Sequence, residues 1–318
     1  MTGNETKTGM KKGKALLMSL IAMVILVVSN IFSQLLGSIL IYLGDTGVLP
    51  LQIAVAAGYI ISGISYIAVT YLLCVFFFEK LMKAGKLSDM RITRFSVRPV
   101  WAFTAAVLPV CVTIGYVLLG GELSYGTFPV TLYDRTYTAS QAVFSGIFMA
   151  GLGAGIVEEM IFRGIIMGSL EKSFGRAFAV IVPSVLFGAV HILGMGFDPV
   201  SSIQTVIAGT AVGVMFSLAA IDGGSIWNSA IIHVLWNIVM IGNIFVVDVK
   251  PDPSSLITFV QRTDNIIITG GEFGRESGII AIIGYIAVTA AAAYTMHRQN
   301  GEPPQVGEPP RATRVDSE

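Results

Sequence analysis

The chain has 318 residues, of which 54% are hydrophobic and 13% charged, and its mean hydropathy is +0.76. A soluble domain averages about 25% charged residues, so the composition excludes an ordinary soluble globular protein. A net charge of zero gives no support to a nucleic-acid partner.

Residues 1–14 form a polar N-terminal tail carrying Lys7, Lys11, Lys12 and Lys14. The apolar run from Ala15 to about Leu43 is longer than the 7–15-residue core of a signal peptide and has no clear cleavage site, so it predicts a retained first span. A second span covers about Leu51 to Phe78. A basic loop follows with Lys80, Lys83, Lys86, Arg91, Arg94 and Arg98. The third span, Val100 to Leu119, contains Pro109, which predicts a kink. Cys74 and Cys111 both fall inside these apolar runs and read as small buried hydrophobes, without disulfide or metal spacing. A polar loop with Glu122, Asp134 and Arg135 closes the N-terminal membrane region, residues 15–136.

The fourth helix is expected from about Gln141 to Leu170. Gly151, Gly153 and Gly155 lead up to an acidic pair and read as packing glycines that let another helix approach. Ser173-Phe174-Gly175-Arg176 turns the chain into a fifth helix that ends near Leu193. Gly194 to Pro199 is a break. A sixth span covers Val200 to Ala220, and after Asp222-Gly223-Gly224 a seventh runs from Ile226 to Val246. Residues 248–277 read as a polar extracytoplasmic loop whose β-branched Ile266-Ile267-Ile268-Thr269 predict a short hairpin or a surface-lying segment. The last span occupies 278–297. Residues 298–318, with Gly-Glu-Pro-Pro twice, read as a disordered tail. The expected fold class is all-α, a polytopic membrane helical bundle of about eight transmembrane helices. Eight spans put both termini on one side. With that side inside, the outer segments hold only Arg135, Lys250, Arg262 and Arg275 among the Lys and Arg residues, so the positive-inside rule predicts cytoplasmic termini in a plasma membrane.

Glu158, Glu159 and Arg163 interrupt the apolar fourth helix. A charge at such depth costs about 2.5–3.5 kcal/mol on insertion scales, so three need a reason. Glu159 and Arg163 are four apart and share a face. Glu158 lies about 100° away, outside that pair. One carboxylate is thus held and the other is free, a recurring design for acid/base chemistry; the competing reading is a structural ion pair between helices. Two of the three histidines also lie in apolar helices. His191 shares a face with Phe187, and His233 shares one with Asn237. His297, beside Arg298, reads as interfacial. Glu158 precedes Phe174 by 16 residues and His191 follows it by 17, so in a hairpin both lie roughly 25 Å from the turn. His233, close to the start of its helix, conflicts with that depth, and the leaflet that the site faces stays open.

Glu-Glu-x-x-x-Arg at 158–163, Phe-x-x-x-His at 187–191 and His-x-x-x-Asn at 233–237 occur in this order in a known family. The chain resembles the CPBP intramembrane proteases, also called the Abi or CAAX protease family, which include the type II CAAX prenyl endopeptidases. The resemblance covers about residues 140–245 and marks 137–247 as a catalytic core. It implies peptide-bond hydrolysis by an activated water. Glu158 would be the general base and His191 would help to hold the water. His233 and Asn237 would stabilise the oxyanion, Glu159 and Arg163 would brace the site, and Phe187 would pack against it. Two cofactor readings stay open: none, or zinc on Glu158, His191 and His233, although His-Glu-x-x-His is absent. The implied partners are a peptide or membrane-protein substrate and the lipid bilayer. Two other functions compete. A transporter or proton path would predict an inverted repeat, and none is visible. A non-catalytic scaffold or bacteriocin-immunity member of the same family would be expected to lack some of the motif residues, and this chain holds the full set.

Overall fold

The computed structural model describes residues 10–132, 135–196 and 198–301. Residues 1–9 of the N-terminal tail, Asp134, and residues 302–318 of the expected disordered tail lie outside the described residues.

Among the described residues, six helices are long and apolar enough to cross a membrane: α1 Lys12–Asp45, α2 Leu51–Leu81, α3 Pro99–Leu118, α4 Ala139–Phe174, α6 Pro199–Asp222 and, last in the chain order, Ile279–Arg298. Between them lie two shorter apolar helices, α5 Arg176–His191 and α7 Trp227–Ile241. The eight expected apolar helices are therefore present, but two differ in kind. The 16 residues of α5 reach only about 24 Å, against about 30 Å of hydrocarbon. These two short helices carry His191, His233 and Asn237.

The chain is a multi-pass helical membrane bundle. On α1 the outer face presents Leu16, Leu20, Val24, Val27, Ile31 and Leu35 in successive turns, while Ala15, Met18, Ala22, Ile25, Ser29 and Ser33 are buried. That pattern is an apolar stripe for lipid on one side and small residues for close packing on the other. A Cβ on Gly37 of α1 would lie 2.5 Å from the Gly58 carbonyl of α2. Thr70 of α2 donates to Ser29 of α1 at 2.7 Å across the same seam.

The centre of the bundle is α4, 36 residues long and longer at both ends than expected. Thr138 Oγ1 accepts from the Gln141 N–H at 3.2 Å and starts it; Gly175, at φ 87°, ends it. From Met160 to Leu170 every residue is buried, as befits a helix surrounded on all sides. Ser145–Ala154 and Met160–Ile166 are wound as wider π-type turns, and the ordinary α-turn Gly155–Glu159 between them holds both carboxylates. Such widened turns often mark functional sites.

The basic loop after α2 packs under α4. Met90 and Ile92 lie against Gly168 and Gly164, Arg91 pairs with Glu171, and the Arg91 carbonyl accepts from Ile226 N–H at 3.0 Å. So α7 begins at the level of Gly164, about 15 Å short of the hairpin tip at Phe174. This removes the depth conflict over His233. It is near the start of its helix, yet level with the acidic pair.

At the other end of the bundle the chain forms a small sheet. Strand β1 (Gly121–Tyr125) leads to a hairpin of β2 (Val130–Leu132) and β3 (Arg135–Tyr137). Strand β4 (Phe245–Asp248) runs parallel to β5 (Ile257–Gln261), which pairs antiparallel with β1 in the order β1-β5-β4. The seventh helix accordingly stops at Ile241, where Gly242 turns extended, and not at Val246. Ile266–Thr269 forms a helical turn, α8, and not a hairpin, one of the two forms expected there. The Asn265 side chain accepts from Ile267 N–H at 3.0 Å and Gly270, at φ 84°, closes the other end, so local capping overrides β-branched propensity. The last helix, α9, extends from Ile279 to Gly301, past the expected boundary at 297.

Candidate active site

Glycines bring α4 and α7 together. A Cβ on Gly155 would lie 2.9 Å from Val234 N and 3.0 Å from its Cα, and one on Gly151 would lie 2.6 Å from the Ile238 side chain. With backbones that close, the next turn of α4 places its carboxylates against His233. Glu159 Oε1 accepts from Arg163 Nη1 at 3.0 Å and from His233 Nδ1 at 3.0 Å. Both partners of the Glu159–Arg163 pair are fully buried. Arg163 also donates to the Gly213 carbonyl of α6 at 3.2 Å, and its guanidinium lies over Phe187 at 4.6 Å and Phe216 at 5.1 Å. Desolvation of such a pair is costly and is offset only when the remaining donors are satisfied. The Gly213 carbonyl and the aromatic faces offset part of that cost, while Arg163 Nε and Glu159 Oε2 are buried without a hydrogen-bond partner among the described residues.

Glu158 is left outside this network. Its Oε2 lies 3.9 Å from His233 Nε2 and makes no hydrogen bond among the described residues. A separation of that size accommodates a bridging water. With Nδ1 engaged by Glu159, His233 meets the site through Nε2. His191 Nδ1 donates to the Phe187 carbonyl at 2.5 Å, which leaves its Nε2 free. Phe187 touches both imidazoles, at 4.7 Å from the His191 ring and 5.8 Å from that of His233. Asn237 Nδ2 donates one proton to the Ala150 carbonyl at 2.8 Å, while its Oδ1 is buried with no partner among the described residues. The seven residues singled out from the sequence thus gather in one region, with Phe187 as the hub between the two histidines.

His191, His233 and Asn237 line a cavity of about 250 Å³; Glu158 adjoins it at His233. Its other walls were not legible as motifs. Phe216 of α6 stacks on His233 at 4.8 Å, and Phe273 meets His191 edge-on at 5.4 Å. Glu276 also lines the cavity. Phe273 and Glu276 belong to the segment 271–277 between α8 and α9, which the sequence presents as part of a polar loop. Its sequence signal is small: the charged doublet Arg275-Glu276 just before an apolar run. Arg275 is buried and donates to the carbonyls of Val239 at 2.9 Å, Met240 at 2.7 Å and Phe245 at 2.9 Å. It thereby satisfies orphan carbonyls at the C-terminal end of α7. The Tyr116 hydroxyl donates to the Arg275 carbonyl at 2.6 Å. Burial lowers the Arg275 guanidinium to about 10. Burial pushes the Glu276 carboxyl up to about 7, against the opposing pull of Arg275 and a Trp236 hydrogen bond.

Among the described residues, no three His, Cys, Asp or Glu side chains stand together as a metal-ligand set. His233 has one nitrogen committed to Glu159 and the other nearly 4 Å from Glu158.

The fold and site define a multi-pass membrane protein with a buried Glu, His and Asn cluster. Residues 140–239 match the family model described as "Type II CAAX prenyl endopeptidase Rce1-like", nearly the same stretch that carries the three motifs. The chain is also similar to the "Putative membrane peptidase YdiL" of Bacillus subtilis (strain 168), with 30% identity over 159 residues, 49% of this chain. It spans 59% of the length of that relative. No solved structure matches.

Proposed function

We propose that the protein is an intramembrane endopeptidase that hydrolyses a peptide bond with a water activated by glutamate and histidine. The observation that carries this reading is the unpartnered Glu158 carboxylate oxygen 3.9 Å from His233 Nε2, beside a cavity lined by His191, His233 and Asn237. The similarity of residues 140–239 to a prenyl endopeptidase family supports it.

In this reading Glu158 takes the proton of a water held between it and the histidines, and general-base help of this kind contributes about 10²–10⁴-fold. His191 orients the water through its free Nε2. Glu159 accepts from His233 Nδ1–H and fixes the ring with Nε2 toward the substrate; in its imidazolium form His233 donates from Nε2 to the substrate carbonyl oxygen. Asn237 keeps a second amide proton for the same oxygen, and one oxyanion donor is typically worth about 2.7–4 kcal/mol. The substrate is a peptide or a membrane-protein segment, and the termini lie in the cytoplasm of a plasma membrane. No step passes through a metal.

The test is cleavage of a peptide library, prenylated and CAAX-like members included, by purified protein in nanodiscs. Wild type is expected to cleave with or without chelator, and Glu158→Gln and His191→Ala are expected not to. Equal cleavage by all three proteins would remove the site assignment. Loss on chelation with recovery on zinc would overturn the metal-free mechanism. No cleavage by wild type would count against the peptidase reading and favour transport.

A further inference from the structure

Peptide hydrolysis needs a proton delivered as well as one removed, because an amine leaves poorly as an anion. Glu158, the base, adjoins the cavity only at His233. The one carboxylate among the residues that line the cavity is Glu276, from a segment that no motif marks. Small-molecule sites usually enclose about 300–1,000 Å³; this cavity holds about 250 Å³, and His233, Asn237 and Glu276 all line it.

The segment that presents Glu276 is held in place. Arg275 is clamped to three carbonyls around the end of α7, Ser277 Oγ donates to the Gly270 carbonyl at 2.8 Å, and Gln204 of α6 donates to the Ser277 carbonyl at 2.9 Å. The Tyr285 hydroxyl of α9 holds the Glu276 carbonyl at 3.0 Å. Glu276 is thus fixed relative to the helix that carries His233 and Asn237. The charged and titratable groups that act on it are Arg275 on its own segment, His233 on α7 and Glu158 on α4; the Tyr285 phenol comes from α9.

We propose that Glu276 is the acid of the reaction and donates its proton to the leaving amine nitrogen. This rests on the peptidase reading above. Glu158 removes a proton from water as the oxygen attacks the carbonyl carbon. The C–N bond then breaks while the Glu276 proton moves to nitrogen, and Glu276 regains a proton from Glu158 or solvent. The sum is addition of one water. Two carboxylates in separate surroundings, Glu158 beside His233 and Glu276 in the cavity wall, would divide the base and acid roles.

A leaving group that needs no proton separates this role from a structural one. Full-length protein in nanodiscs is assayed on a peptide that the wild type cleaves and on its matched thioester. Glu276→Gln is expected to lower kcat on the amide by about 10²–10⁴-fold, with little change in KM, and to alter thioester cleavage by a small factor. Glu276→Asp should recover part of the amide rate, and Glu272→Gln, an exposed carboxylate in the same segment, should match wild type on both. Equal losses on amide and thioester, or no loss on either, would refute the acid role while leaving the peptidase reading intact. If wild type cleaves neither substrate, the peptidase reading fails and this inference fails with it.

Discussion

Glu158 and Glu159 are adjacent, yet about 100° of helix rotation sends one into an ion network and leaves the other beside a cavity. Glu159 serves two partners, Arg163 and His233. Truncating one partner of a buried pair leaves the other charge unpaired, at about 3–5 kcal/mol. Arg163→Ala should therefore melt well below wild type in detergent, while joint replacement of Glu159 and Arg163 by Gln and Met should recover much of that loss. An Arg163→Ala protein that melts like wild type would show that the pair is not structural. Glu276 gives a pH prediction. Its folded carboxyl sits near 7, above the ordinary value of 4.5, so the folded state holds a proton that the unfolded chain has released. The sign follows from linkage: this contribution lowers stability as pH rises from about 4.5 to about 7. The melting temperature of Glu276→Gln should fall less over that window than that of wild type, and parallel curves would contradict it.

At the scale of helices, the close approach of α4 and α7 decides whether the site exists. Gly155→Leu would drive carbon atoms into the Val234 backbone, which already lies within 3.0 Å of where a Cβ would sit. Overpacking of this kind costs about 1–3 kcal/mol. Cleavage should fall further than stability, because the displaced α7 carries His233 away from Glu158; paired assays of melting and turnover check this. Arg275→Gln should uncover carbonyls at the end of α7, at about 1–3 kcal/mol for each buried group left unpaired, and should lower both stability and turnover. The Gly151, Gly155, Glu158, Glu159 and Arg163 pattern was legible because it repeats at helical spacing along one element. The clamp by Arg275 was not, because its partners are the backbone carbonyls of Val239, Met240 and Phe245, and every residue has one.

At the scale of the molecule, the described residues form six long apolar helices and two short ones, and the short pair brings the histidines to the level of the carboxylates. The distribution of Lys and Arg predicts cytoplasmic termini, which labelling can check. In a background with Cys74 and Cys111 replaced by Ala, Lys250→Cys should react with an impermeant maleimide on intact cells, and Lys12→Cys only after permeabilisation; the reverse pattern would invert the topology. The membrane class, the number of apolar helices and the Glu, His and Asn candidates followed from the sequence by itself, since apolar run length and the cost of a charge in hydrocarbon are local properties of the chain. The tertiary structure alone decided that α7 starts halfway along the α4–α5 hairpin, that Glu159 and not Glu158 holds His233 by Nδ1, and that Glu276 faces the cavity. Each of these depends on distance and desolvation set by atoms remote along the chain, which no spacing within a single helix encodes.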